Sequence, residues 1–88
     1  MLHVSVQEND DGSVVRLSGR LEGEFVEEAR QVCLSATAPL LIDATELQDA
    51  SPDGIDLLAK FAEEGARIEG LSGYLRMSMR TARQRDER

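Results

Sequence analysis

Aromatic residues are nearly missing from these 88 residues, which hold two Phe, one Tyr and no Trp. A core made without them rests on Leu, Val, Ile, Ala and Met, and a chain this short has room for one modest core and no second domain. Cysteine is reduced to Cys33. No internal disulfide can form, and no histidine or second cysteine is spaced to complete a zinc site, so this thiol, in a helical pattern beside Val32, is expected in the core. The single histidine, His3, falls on the polar side of an alternating strand pattern, with no partner at metal or triad spacing. No apolar run approaches a transmembrane span and no charged-then-apolar leader precedes Leu2, so the expected location is the cytoplasm. Also missing are a nucleophile and base pair, a phosphate-cradling glycine loop, and the alternating carboxylates with a closing glutamate of a calcium loop. The chain is therefore expected to be no enzyme, with no catalytic residue, cofactor or metal.

Negative charge is plentiful, with a net charge of −7, and it is unevenly spread. Residues 1–66 hold 14 acidic against 4 basic side chains, a balance of −10, whereas residues 67–88 hold 3 against 6, or +3. An acidic body disfavours nucleic acid as a partner, because neutralising phosphate supplies much of that affinity. Solubility alone accounts for many surface carboxylates.

Leu2, Val4 and Val6 alternate with His3, Ser5 and Gln7, the period of a half-buried strand. Asn9-Asp10-Asp11-Gly12 then reads as a turn before Val14-Val15-Arg16-Leu17, giving a hairpin that Gly19-Arg20-Leu21 leaves. From Glu24 to Ala36, Phe25, Val26, Ala29, Val32, Cys33 and Ala36 recur at helical spacing against a charged opposite side. Pro39 can open a strand without losing a ladder bond, and Leu40-Leu41-Ile42 is a continuous apolar run of the kind covered on both faces, ended by Asp43. Residues Asp43 to Ser51 are then expected to form an acidic loop.

Three helix-start signals follow in succession: Ser51 as N-cap, Pro52 at the first helical position, and Asp53 facing the positive end of the helix dipole. Ile55, Leu58, Phe61 and Ala62 mark one apolar face of that helix, and Gly65 is placed to take a left-handed conformation after it. Ala66 to Gly70 reads as a short strand. Ser72 caps a last helix with Leu71, Leu75, Ser78, Met79 and Ala82 on its apolar side and Arg76, Arg80 and Arg83 opposite. That basic stripe is expected to be a solvated face, with contact to an acidic partner as the other reading. The fold expected is α/β, a single domain over residues 1–83 in the order β-β-α-β-α-β-α. Its mixed four-stranded sheet has an N-terminal antiparallel hairpin and parallel crossovers, and residues 84–88 form a frayed tail.

Several stretches together resemble the STAS domains of bacterial anti-sigma factor antagonists and sulphate transporters. Val14-Val15-Arg16-Leu17-Ser18-Gly19-Arg20-Leu21 is similar to the family's second strand, and Leu41-Ile42-Asp43-Ala44-Thr45-Glu46-Leu47 to its strand ending in Asp-Leu-Ser-x-Val. Leu57-Leu58 to Gly70 resembles the stretch after the family's Asp-Ser-Ser-Gly-Leu signature. In that family a serine of the signature, at the start of the second helix, is phosphorylated by a partner kinase. Aligning Gly54-Ile55 with Gly-Leu places Asp53 at that serine, and a fixed carboxylate there matches the phosphorylated state in sign. Sliding by two residues instead reads Asp49-Ala50-Ser51 as Asp-Ser-Ser, making Ser51 the phosphoacceptor and Pro52-Asp53 an insertion.

The resemblance implies a non-enzymatic antagonist that binds an anti-sigma factor kinase or related regulatory ATPase through Thr45, Asp49, Ser51, Asp53 and Gly54. The other role it implies is a STAS subunit of a lipid-trafficking ABC transporter, docked on the transport ATPase. A homodimer is a further option, and neither nucleic acid nor a membrane span is expected.

Overall fold

The computed structural model describes the backbone of residues 1–86 and the side chains of residues 1–82. The elements follow the expected order: β1 (Leu2–Asn9), β2 (Gly12–Leu21), α1 (Glu24–Ser35), β3 (Leu40–Ala50), α2 (Pro52–Glu63), β4 (Arg67–Glu69) and α3 (Gly73–Asp86). They form an α/β domain with one mixed sheet of order β1-β2-β3-β4, in which β1 pairs antiparallel with β2 and the other neighbours are parallel. Of the tail expected at residues 84–88, the backbone of residues 84–86 is the end of helix α3, and residues 87–88 lie outside the described residues.

The sheet has one covered and one open face, and the register shows which residues lie on each. Val15 aligns with Ile42 and Ile42 with Ile68, while Val4 sits opposite Leu17, so these residues share a face. Val15, Leu17, Ile42 and Ala44 on it are buried against the helices. On the opposite face Ser5 aligns with Arg16, Arg16 with Asp43 and Asp43 with Glu69. Ser5, Arg16 and Glu69 are exposed there. The expectation that Leu40-Leu41-Ile42 is covered on both sides is thus corrected: Ile42 is buried, while Leu40 and Leu41 are half-buried. A continuous apolar run implied two covered faces, but the polar residues of the neighbouring strands keep one face wet.

The second correction concerns the expected loop from Asp43 to Ser51. Asp43 through Ala50 continue β3, and β2 likewise runs on through Gly19, Arg20 and Leu21 to pair with it. The register slips between Arg16 and Ser18 and again between Gly19 and Arg20, each time placing one extra residue in β3. Bulges of this kind change the spacing of inward residues. Ala44, Leu47 and Ala50 therefore point inward at steps of three, not two, with exposed Thr45, Glu46, Gln48 and Asp49 between them. Those polar pairs resembled a loop because strict alternation was broken twice.

The helices match their apolar patterns. In α1, Ala29 and Cys33 are buried, with Phe25, Val26 and Val32 packed at the rim. Burial pushes the Cys33 thiol up to about 11. Helix α2 is the most enclosed: Ile55, Leu58 and Phe61 face the core as expected, and Leu57 and Ala59 are buried as well, because α1 and α3 flank it. Gly65 follows α2 at φ 105°. Leu75 and Ala82 bury the inner side of α3, Leu71 is buried just before it, and the Ser72 hydroxyl accepts from the Leu75 N–H at 3.2 Å, the expected cap.

Candidate functional site

The last residues of β3, the cap of α2 and the first turn of that helix form a continuous surface. Ser51 has extended backbone geometry, and its hydroxyl accepts from the Gly54 N–H at 3.2 Å, satisfying one amide left open at the helix start. The same hydroxyl lies 3.4 Å from the Leu21 carbonyl oxygen, to which it donates, and the Ser51 N–H donates to that oxygen at 2.9 Å. Ser51 is thus a half-buried clamp joining the end of β2 to the start of α2.

Gly54 completes the clamp by having no side chain. It is buried, and a Cβ there would lie 2.6 Å from the Leu21 carbonyl oxygen and 2.9 Å from Leu21 Cγ. Helix α2 approaches β2 this closely only because the residue is glycine. Asp53, one residue earlier, points the other way: it is exposed in the first turn, where the positive end of the helix dipole favours a carboxylate. Asp49 is exposed, and its Oδ1 accepts from the Ala50 N–H at 2.8 Å, fixing the last residues of the strand.

Asp49, Ser51, Asp53 and Gly54 are therefore brought together where β3 passes into α2. Thr45 is placed separately, at the first bulge. There Asp43 Oδ1 accepts from the Thr45 N–H at 3.0 Å and from its hydroxyl at 2.6 Å, while Arg16 Nε donates to Asp43 Oδ2 at 3.3 Å. The Thr45 bonds foremost, and the Arg16 guanidinium after them, hold the Asp43 carboxyl below the usual aspartate range. Gly70, at φ 83°, lies against the Thr45 backbone, where a Cβ would come within 2.7 Å of its Cα. Thr45 therefore serves first to shape the bulge.

Beside the α2 start lies a groove of about 350 Å³ lined by Ala50, Pro52, Ile55, Tyr74, Ser78 and Thr81. Tyr74 is 70% exposed and nearby Met77 71%, the two large apolar side chains that α3 leaves in solvent. Sequence reasoning missed this groove. The signal was the spacing of Tyr74, Ser78 and Thr81 by four and three, which places them on one side of α3 next to its core stripe. Arg76 and Arg80 are exposed as expected, and the side chain of Arg83 lies outside the described residues.

Among the described residues, no group of three or more His, Cys, Asp and Glu side chains is placed to hold a metal ion, and no helix is long and apolar enough to cross a membrane. Neither a family model nor a curated protein matches the chain.

Proposed function

We propose that this chain is a non-enzymatic, STAS-like regulatory module that binds a protein partner through the end of β3 and the first turn of α2. The partner class is an anti-sigma factor kinase or related regulatory ATPase, as for the bacterial antagonists it resembles. The observation that carries this reading is the division of labour at the helix start. Ser51 and Gly54 are committed to holding α2 on Leu21, while Asp53 projects a carboxylate that packing does not need. A charge held at an exposed helix terminus with no internal duty is suited to recognition, since rim charges set encounter rate and discrimination between partners.

One feature favours the second reading, a STAS subunit docked permanently on the ATPase of a lipid-trafficking transporter. With aspartate at position 53 and the Ser51 hydroxyl engaged by two backbone groups, neither register offers a free phosphoacceptor, which suits constitutive binding. Affinity capture on the purified chain from its source cell, with mass spectrometry of what is retained, tests both. Recovery of an anti-sigma kinase supports the first reading and a transport ATPase the second, while the repeated absence of any ATPase contradicts both.

A further inference from the structure

We propose that the outer edge of β1 is a self-association surface, across which two copies of the chain pair antiparallel into one continuous eight-stranded sheet. The two edges of the sheet differ. β4 is three residues long, carries an Arg67–Glu69 ion pair at 3.0 Å, and borders the bulged β3, all devices that discourage strand addition. β1 has none of them. Its eight residues pair with β2 without a register slip, they include no proline or lysine, and residues 1–7 contain no Asp, Glu, Lys or Arg. On a chain of net charge −7, this is the strand edge where two copies approach with least repulsion.

The hydrogen-bond pattern shows which groups the edge offers. Arg20 N–H donates to the Met1 carbonyl at 3.0 Å, so in this regular antiparallel ladder the odd-numbered residues of β1 bond to β2. The N–H and C=O groups of Leu2, Val4, Val6 and Glu8 turn the opposite way, where the sheet has no further strand. These residues also carry the side chains of the helix-covered face, and Val6 at the edge is 46% exposed. A two-fold axis through Ser5 sets Val4 of one copy beside Val6 of the other and satisfies the outward backbone groups in pairs. The helices of both copies then lie on the same side. α1 covers the β1 and β2 side of the sheet, so the two α1 helices flank the axis. This surface is separate from the α2 start and does not depend on the function proposed for it.

Sedimentation equilibrium on the purified chain from about 10 μM to about 1 mM, the range expected of a small interface, tests the pairing. The expected mass rises with concentration from 9.7 kDa toward twice that value. Val6→Lys places a charge at the axis. Val6→Pro removes an outward N–H while leaving the bonds to β2 intact. Both are expected to raise the dissociation constant more than tenfold with unchanged circular dichroism, whereas Met77→Lys on α3 leaves it unchanged. A wild-type chain that stays monomeric throughout overturns the proposal, as does a dimer that survives either Val6 substitution in a folded protein.

Discussion

Replacing Gly54 with alanine sets two effects of opposite sign against each other, and the structure decides between them. Alanine in place of glycine within a helix gains about 1 kcal/mol of intrinsic propensity, so a reading confined to α2 expects stabilisation. The added methyl meets the Leu21 carbonyl oxygen at 2.6 Å and Leu21 Cγ at 2.9 Å, closer than side-chain carbons approach other atoms. Leu21 is fully buried, and its carbonyl belongs to the strand backbone, so it cannot swing aside like the end of a long side chain. The start of α2 must lift instead. That movement stretches the Ser51 N–H bond to the Leu21 carbonyl, now 2.9 Å, and the weaker hydroxyl contact at 3.4 Å. Overpacking of this kind costs about 1–3 kcal/mol and a weakened hydrogen bond about 0.5–1.5 kcal/mol more. Against the propensity gain, a net loss of about 1–3 kcal/mol is expected. Urea denaturation reads it as a lower midpoint at unchanged slope. Gly73→Ala, at the exposed start of α3 where nothing lies within 4 Å of the new methyl, is the control and is expected to be neutral or mildly stabilising. A Gly54→Ala chain as stable as wild type would refute the close approach of α2 to β2.

Three further outcomes follow from the same geometry. Ser51→Ala removes the α2 cap and is expected to cost about 0.5–2 kcal/mol in chemical denaturation; no change would move the helix start elsewhere. Asp43 has a lowered pKa in the folded chain, so the stability its ionised form contributes is present above the ordinary aspartate range and is lost as pH falls through the folded value. Asp43→Asn should accordingly be less stable than wild type at neutral pH, and the gap in thermal melts should close on acidification below about pH 4. Cys33, with its thiol raised to about 11 by burial, is expected to resist an aromatic disulfide reagent at pH 8 until denaturant is added; prompt reaction of the native chain would contradict its placement.

Much of the fold was legible because its strongest signals are local. The hairpin turn before Gly12, the Ser51-Pro52-Asp53 start of α2 and the Ser72 cap are each a few residues long and act through the backbone beside them. The extent of β3 was not legible, because it depends on β2. Thr45, Glu46, Gln48 and Asp49 are polar and break a two-residue period, and only pairing with Ser18, Gly19 and Arg20 shows that they are strand residues around two bulges. The candidate site was legible as a location and less so in its parts. Ser51 as cap and Asp53 as exposed charge follow from helix-end chemistry. The burial of Gly54 against Leu21 joins residues more than thirty positions apart, and the groove under Tyr74 exists only once α2 and α3 lie side by side.

The claim that the start of α2 recognises a partner through charge is tested most directly by calorimetric titration of Asp53→Lys with the ATPase recovered by affinity capture, alongside thermal melts. Asp53 touches the folding balance mainly through the helix dipole, so the substitution should cost no more than about 1 kcal/mol of stability. At a complementary surface the reversed charge should weaken binding by several kcal/mol, a hundredfold or more in Kd. Intact mass after incubation of the wild-type chain with a kinase partner and ATP should show no phosphate at position 53. A folded Asp53→Lys chain that binds with wild-type affinity would contradict the account and move the interface away from the start of α2.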